Sequence, residues 1–248
     1  MRILLYCPLA PQTPRIYART VESLFRMQWD GPLPMVFGRC DAPRGTKYQD
    51  LCAKHNEART MVLDGGYDAV LFVENDMVVP PDTLERLCAV DADVAYGLYV
   101  SRHGWNRWLA FHSIHGYGGV SYSQDPERMR AVWGTVSETL GVGMGCTLIH
   151  RHVLERIGFR TAPDDVVADD WMFALDCIDQ GFRQAHDFGV VCGHITPDGK
   201  ILWPAPEAPG SYRIEFMGPR HVVRATRDDP LTVPVGMGTV VVEGYVEE

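Results

Sequence analysis

A chain of 248 residues, 46% of them hydrophobic, can bury one substantial core, so one large domain is expected rather than several small ones. The formal net charge of −9 removes the general electrostatic pull behind non-specific nucleic-acid binding. Seven cysteines (7, 40, 52, 88, 146, 177 and 192), odd in number and without a CxxC pair, argue against a disulfide framework or zinc cluster and for reduced thiols in a cytoplasmic compartment.

Ile3 to Tyr6 reads as a buried parallel strand ended by Pro8, too short a run for a signal peptide. Ile16 to Met27 has the spacing of an amphipathic helix. Met35 to Phe37 is a second strand, and Asp50 to Leu63 a second helix stopped by Gly65-Gly66. Ala69 to Val73 is apolar without alternation, which predicts a strand buried on both faces. Pro80-Pro81-Asp82 opens a short helix, and Val94 to Val100 is a fourth strand. The stretch from Ser101 to Thr135 reads as loops and short strands. Cys146 to Ile149 is an apolar strand, His150 to Ile157 a short helix, Asp169 to Gln180 a longer one, and Ala185 to Cys192 a last core strand. After Lys200 the chain reads as loops and β-hairpins laid over the core or over a neighbouring subunit. No apolar stretch reaches the roughly 18 to 20 residues that span a bilayer. Strands alternating with helices predict an α/β fold, a mostly parallel sheet with helices on both faces plus a β-rich C-terminal tail.

Ligands of such sheets sit beyond the carboxyl ends of the strands. There the sequence places Glu74-Asn75-Asp76, directly after a buried strand. Carboxylates two positions apart can face one crevice, and hard oxygen ligands suit Mg²⁺ or Mn²⁺ completed by substrate phosphates. A solvated turn with two exposed acids accounts equally well for the spacing. Asp169-Asp170 opens a helix, where the dipole alone favours acids, or where a carboxylate serves as a catalytic base. His194 follows an apolar run and has the context of a metal ligand. Gly141, Gly143 and Gly145 precede a strand rather than opening a long helix, so they are not a dinucleotide fingerprint; they leave room for a ligand or another backbone to come close. Trp105, Trp108, Phe111, Tyr117 and Trp133 divide between the core and an acceptor cleft.

From Arg2 to Ile195 the chain resembles family 2-type glycosyltransferases with the GT-A (Rossmann-like) fold. The resemblance rests on Asn56-Glu57-Ala58-Arg59-Thr60, Gly66-Tyr67-Asp68 and Leu71 to Met77, on the glycine segment 141–149, on Asp169-Asp170-Trp171, and on His194. It implies a metal-dependent transfer of a sugar from a nucleotide-sugar to an acceptor hydroxyl, with inversion. The acidic triplet would be the "DxD" donor motif: Asp76 the metal ligand, Glu74 on the ribose or the metal's water shell, and Asn75 between them. His194 would complete the site for Mn²⁺ (or Mg²⁺). Asp169 or Asp170 would be the base, and Pro8, Asp41 and Arg59 would lie near the nucleotide. Residues 1–199 would form the catalytic domain and 200–248 an extension, with homo-oligomers forming through it. The acceptor stays open among a glycan, a protein, a lipid-linked glycan and a modified nucleobase. The chain departs from the pattern with Glu at the first triplet position and Asp-Asp in place of Glu-Asp. Two other readings are a non-catalytic nucleotide-sugar-binding module and a nucleotidyltransferase; against the latter, the loop Pro8 to Arg15 has no glycine.

Overall fold

The computed structural model describes residues 1–9, 15–39, 45–102, 107–116, 118–141, 143–163, 167–206, 212–216, 231–235 and 238–242. The first half runs β1 (Ile3–Leu9), α1 (Ala18–Phe25), β2 (Met35–Arg39), α2 (Lys47–Gly65), β3 (Ala69–Val73), β4 (Met77–Val78), α3 (Thr83–Cys88) and β5 (Val94–Leu98). A hairpin β6 (Phe111–His115) and β7 (Gly118–Ser121) follows, then α4 (Pro126–Val132), β8 (Val136–Glu138), β9 (Cys146–His150), α5 (Arg151–Arg156) and α6 (Asp169–Asp179). The chain continues through β10 (Gln184–Val191), β11 (Gly193–Ile195), β12 (Lys200–Pro204), β13 (Tyr212–Phe216), β14 (Leu231–Val235) and β15 (Gly238–Val242).

The central sheet has the order β14-β15-β2-β1-β3-β9-β5-β10-β8. Strands β15, β2, β1, β3, β5 and β10 point one way, and β14, β9 and β8 the other. The missing alternation in β1 and β3 has a direct cause. Ile3, Leu5, Cys7, Ala69, Leu71 and Val73 pack on one face with Val21 and Leu24 of α1 and Leu84 and Leu87 of α3. Leu4, Tyr6, Val70 and Phe72 pack on the other with Ala58 and Val62 of α2, Leu154 of α5 and Phe173 of α6. Each fully buried aliphatic side chain contributes about 1.5–3 kcal/mol. The mostly parallel α/β sheet covered on both faces is therefore as the sequence leads one to expect.

Two elements differ from that reading. β1 does not stop before Pro8 but runs to Leu9. Its pairing with β3 ends at Tyr6, and only the β2 ladder continues to Leu9, so the missing N–H of Pro8 faces an edge with no ladder to break. Helix α4 lies inside the stretch read as loops and short strands. Asp125 caps it, accepting from the N–H groups of Glu127 and Arg128, and Pro126 stands in its first turn.

A second sheet, β13-β12-β11-β4, crosses the carboxyl ends of the central strands. In it His194 of β11 stands opposite Met77 of β4, and Gly193 opposite Val78. The N–H of Ile195 donates to the carbonyl of Asp76 at 2.8 Å. The loop after β3 and the loop after β10 are thereby fixed to each other. No helix among the described residues is long and apolar enough to cross a membrane.

Candidate metal centre

Three parallel strands deliver the site from one end of the sheet: β3 leads to Glu74 and Asp76, β5 to Tyr99, Ser101 and Arg102, and β10 through β11 to His194. One ligand atom from each of Glu74, Asp76 and His194 lies within 4.8 Å of the others. Asp76 and His194 are buried. The Nδ1–H of His194 donates to the carbonyl of Val100 at 2.7 Å, which leaves the Nε2 lone pair free. That Nε2 and Asp76 Oδ1 are 3.7 Å apart, and neither has a hydrogen-bond partner. Two buried acceptors facing one another fit a divalent cation, since leaving both unpaired costs several kcal/mol. Burial and the nearby Arg102 guanidinium push the His194 pKa down to about 4, so the imidazole is neutral and able to ligate. Arg102 forms an ion pair with Asp76 through the other carboxylate oxygen.

Glu74, Tyr99, Ser101, Arg102 and His194 line a cavity of about 370 Å³, and Asp76 lies behind them in contact with Arg102 and His194. Asp169 and Asp170 in the first turn of α6 and His55 of α2 line the same cavity. Asp169 does not cap its helix: it is buried and takes a 2.6 Å hydrogen bond from His55 Nδ1. Burial lowers the His55 pKa, and the Asp169 carboxylate more than offsets this, leaving it raised. Asp170 reaches the cavity. Its carboxyl is pushed up to about 7, first by loss of solvent and then by the charges of Asp169 and Glu74.

The glycine segment makes room for tyrosine rings. A Cβ on Gly141 would overlap Tyr96, and one on Gly143 or Gly145 would overlap Tyr99. Gly143 has a φ of +116°, a conformation L side chains rarely adopt. Tyr99 stands edge-on to His194 with ring centroids 5.5 Å apart, and its hydroxyl accepts from the Gly145 N–H.

The remaining expected residues lie elsewhere. Asn75 anchors α1: its amide donates to the Arg15 carbonyl, and its own carbonyl accepts from Tyr17 N–H at 3.1 Å. Arg59 donates through Nε to the carbonyls of Leu154 and Ile157 and does not line the cavity. Pro8 is buried within β1. Asp41 falls outside the described residues, as do Trp105 and Tyr117. Trp108 and Phe111 are core residues, and Trp133 packs against the same core as Trp108. Sequence reasoning missed His55, Tyr99 and Arg102. The first was legible from its place three and seven residues before Ala58 and Val62 on the buried face of α2. The other two follow a parallel strand's carboxyl end, the same rule that selected Glu74.

No protein-family model and no curated protein matches the chain. Among solved structures, the chain is similar to the crystal structure of A197 from STIV, with a TM-score of 0.58 and 17% identity over 92% of this chain and 99% of that one. That likeness shows a shared fold. The crystal structure of GalNAc-T7 with UDP, GalNAc and Mn²⁺ aligns with a TM-score of 0.47 and 11% identity, over 79% of this chain and 44% of that one.

Proposed function

We propose that this chain is a divalent-metal-dependent glycosyltransferase on a GT-A-like fold, moving a sugar from a nucleotide-sugar to an acceptor hydroxyl. One observation carries the reading: Glu74 and His194, which cluster with Asp76, line the same cavity as a carboxyl, Asp170, whose pKa stands near 7. Asp76 and His194 would hold the ion directly, with Glu74 as a third ligand or on its water shell. Mn²⁺ is favoured over Mg²⁺ by the imidazole ligand. When bound, the ion stabilises the negative charge that develops on the leaving nucleoside diphosphate. Asp170 takes the proton of the acceptor hydroxyl, and a base poised near the working pH suits that task. Asp169, locked to His55, fixes the first turn of α6 and so aims Asp170. An acceptor hydroxyl held by Asp170 on the face of the sugar away from the leaving diphosphate would invert the anomeric centre. The odd number of cysteines, seven, supports a reducing compartment such as the cytoplasm.

Calorimetry against UDP and GDP, with Mn²⁺ and with EDTA, tests the donor site. Wild type is expected to bind one of them far more tightly with metal than in EDTA, and Asp76→Ala to lose that difference. Equal binding in EDTA, or by Asp76→Ala, would remove the metal assignment.

A further inference from the structure

Three buried polar atoms of neighbouring side chains have no hydrogen-bond partner: Asp76 Oδ1, His194 Nε2 and Arg102 Nε, the last two belonging to residues that line the cavity. The first two are acceptors and call for a cation. The third is a donor and calls for an anion. The guanidinium already uses Nη1 on Asp76, yet its planar fork has further N–H groups that match phosphate oxygens two at a time. A ligand satisfying all three atoms must bring positive and negative charge together, as a divalent ion on a diphosphate does. We infer that Arg102 binds the donor's diphosphate, and that before the donor arrives it stands in for the metal ion as the counter-charge of Asp76.

This rests on the metal site proposed above and gives it an order of events. A metal ion entering alone meets a carboxylate already neutralised by Arg102, and two cations sharing Asp76 repel each other. An anion between them removes the conflict: Arg102 turns from Asp76 to the phosphates, and Asp76 turns to the ion. The same stretch of chain supports both partners, because the Val100 carbonyl orients His194 two residues before Arg102.

The test is calorimetry of full-length wild type and Arg102→Met, with Mn²⁺ alone and with pyrophosphate in EDTA. Arg102→Met is expected to bind Mn²⁺ alone about tenfold more tightly, and pyrophosphate without metal about tenfold more weakly, within the usual range of such couplings. Opposite signs are the signature, since a merely structural ion pair would weaken both ligands or neither. Mn²⁺ binding no tighter in Arg102→Met than in wild type overturns the role of Arg102 while leaving the metal site in place. Absence of Mn²⁺ binding by both folded proteins under every condition overturns the metal site as well. Should Arg102→Met not fold, wild type decides by NMR. The Arg102 Nε–H signal, assigned with Arg102→Lys, is expected to shift on adding pyrophosphate with Mg²⁺, and an unmoved signal overturns the inference.

Discussion

Asp170 carries opposite consequences for stability and for chemistry. Its carboxyl titrates near 7 in the folded chain against 3.8 ordinarily. Between those values the folded state binds more protons than the unfolded state, so its contribution to stability falls as pH rises and stays reduced above 7. Asp170→Asn is therefore expected to raise the melting temperature, by more at pH 8 than at pH 4. After solvent screening the gain is about 1–2 kcal/mol. The same substitution removes the proposed base, so transfer should be lost while nucleotide binding survives. In wild type, kcat/KM should rise with pH through about 7, where the free enzyme's carboxyl ionises. An activity profile flat from pH 5 to 9 would point to another base. His55 is the second residue whose loss should be felt. His55→Gln leaves Asp169 buried with its charge uncompensated, and thermal or urea unfolding should reveal a cost of about 3 kcal/mol.

At the scale of elements, the segment before β9 holds the site through the space its glycines leave. Gly145→Ala would press on the Tyr99 ring, whose carbon atoms lie as near as 2.6 Å to a Cβ there. A stability loss of about 1–3 kcal/mol is expected, with weaker Mn²⁺ binding because Tyr99 braces His194. Unchanged metal affinity would separate the ring from the site. The elements also mark what could be read from residues alone. Strand β3 and its acidic loop were legible because an unbroken apolar run followed by Glu74-Asn75-Asp76 states both burial and exit. The direction of β9 was not. It is antiparallel between β3 and β5, and a strand buried on both faces carries no pattern that encodes direction. Arg102 and Tyr99 were hidden for a related reason: their meaning comes from β10 and the glycine segment meeting them in space, far along the chain.

At the scale of the molecule, the site lies where two sheets meet. The central sheet brings β3, β5 and β10 to one end, and the small sheet fastens their loops. β12 belongs to that fastening, since Leu202 stands opposite His194 and Ile201 opposite Ile195. A chain ending at residue 199 should therefore lose Mn²⁺ affinity. One ending at residue 205, which keeps β12, should retain most of it. Equal affinity in both would show that β11 needs no partner on that side. Gel filtration of the shorter chains tests in addition whether the extension builds oligomers.

The metal cluster and Asp170 are proposed to act on one substrate in one cavity. This joint action is tested most directly by sugar release from a panel of nucleotide-sugars, with Mn²⁺ or EDTA, by wild type, Asp76→Ala and Asp170→Asn. Wild type is expected to release sugar only with metal, Asp76→Ala to lose metal-dependent binding and release, and Asp170→Asn to bind the donor without transferring. Full turnover in EDTA, or by Asp170→Asn, would contradict it.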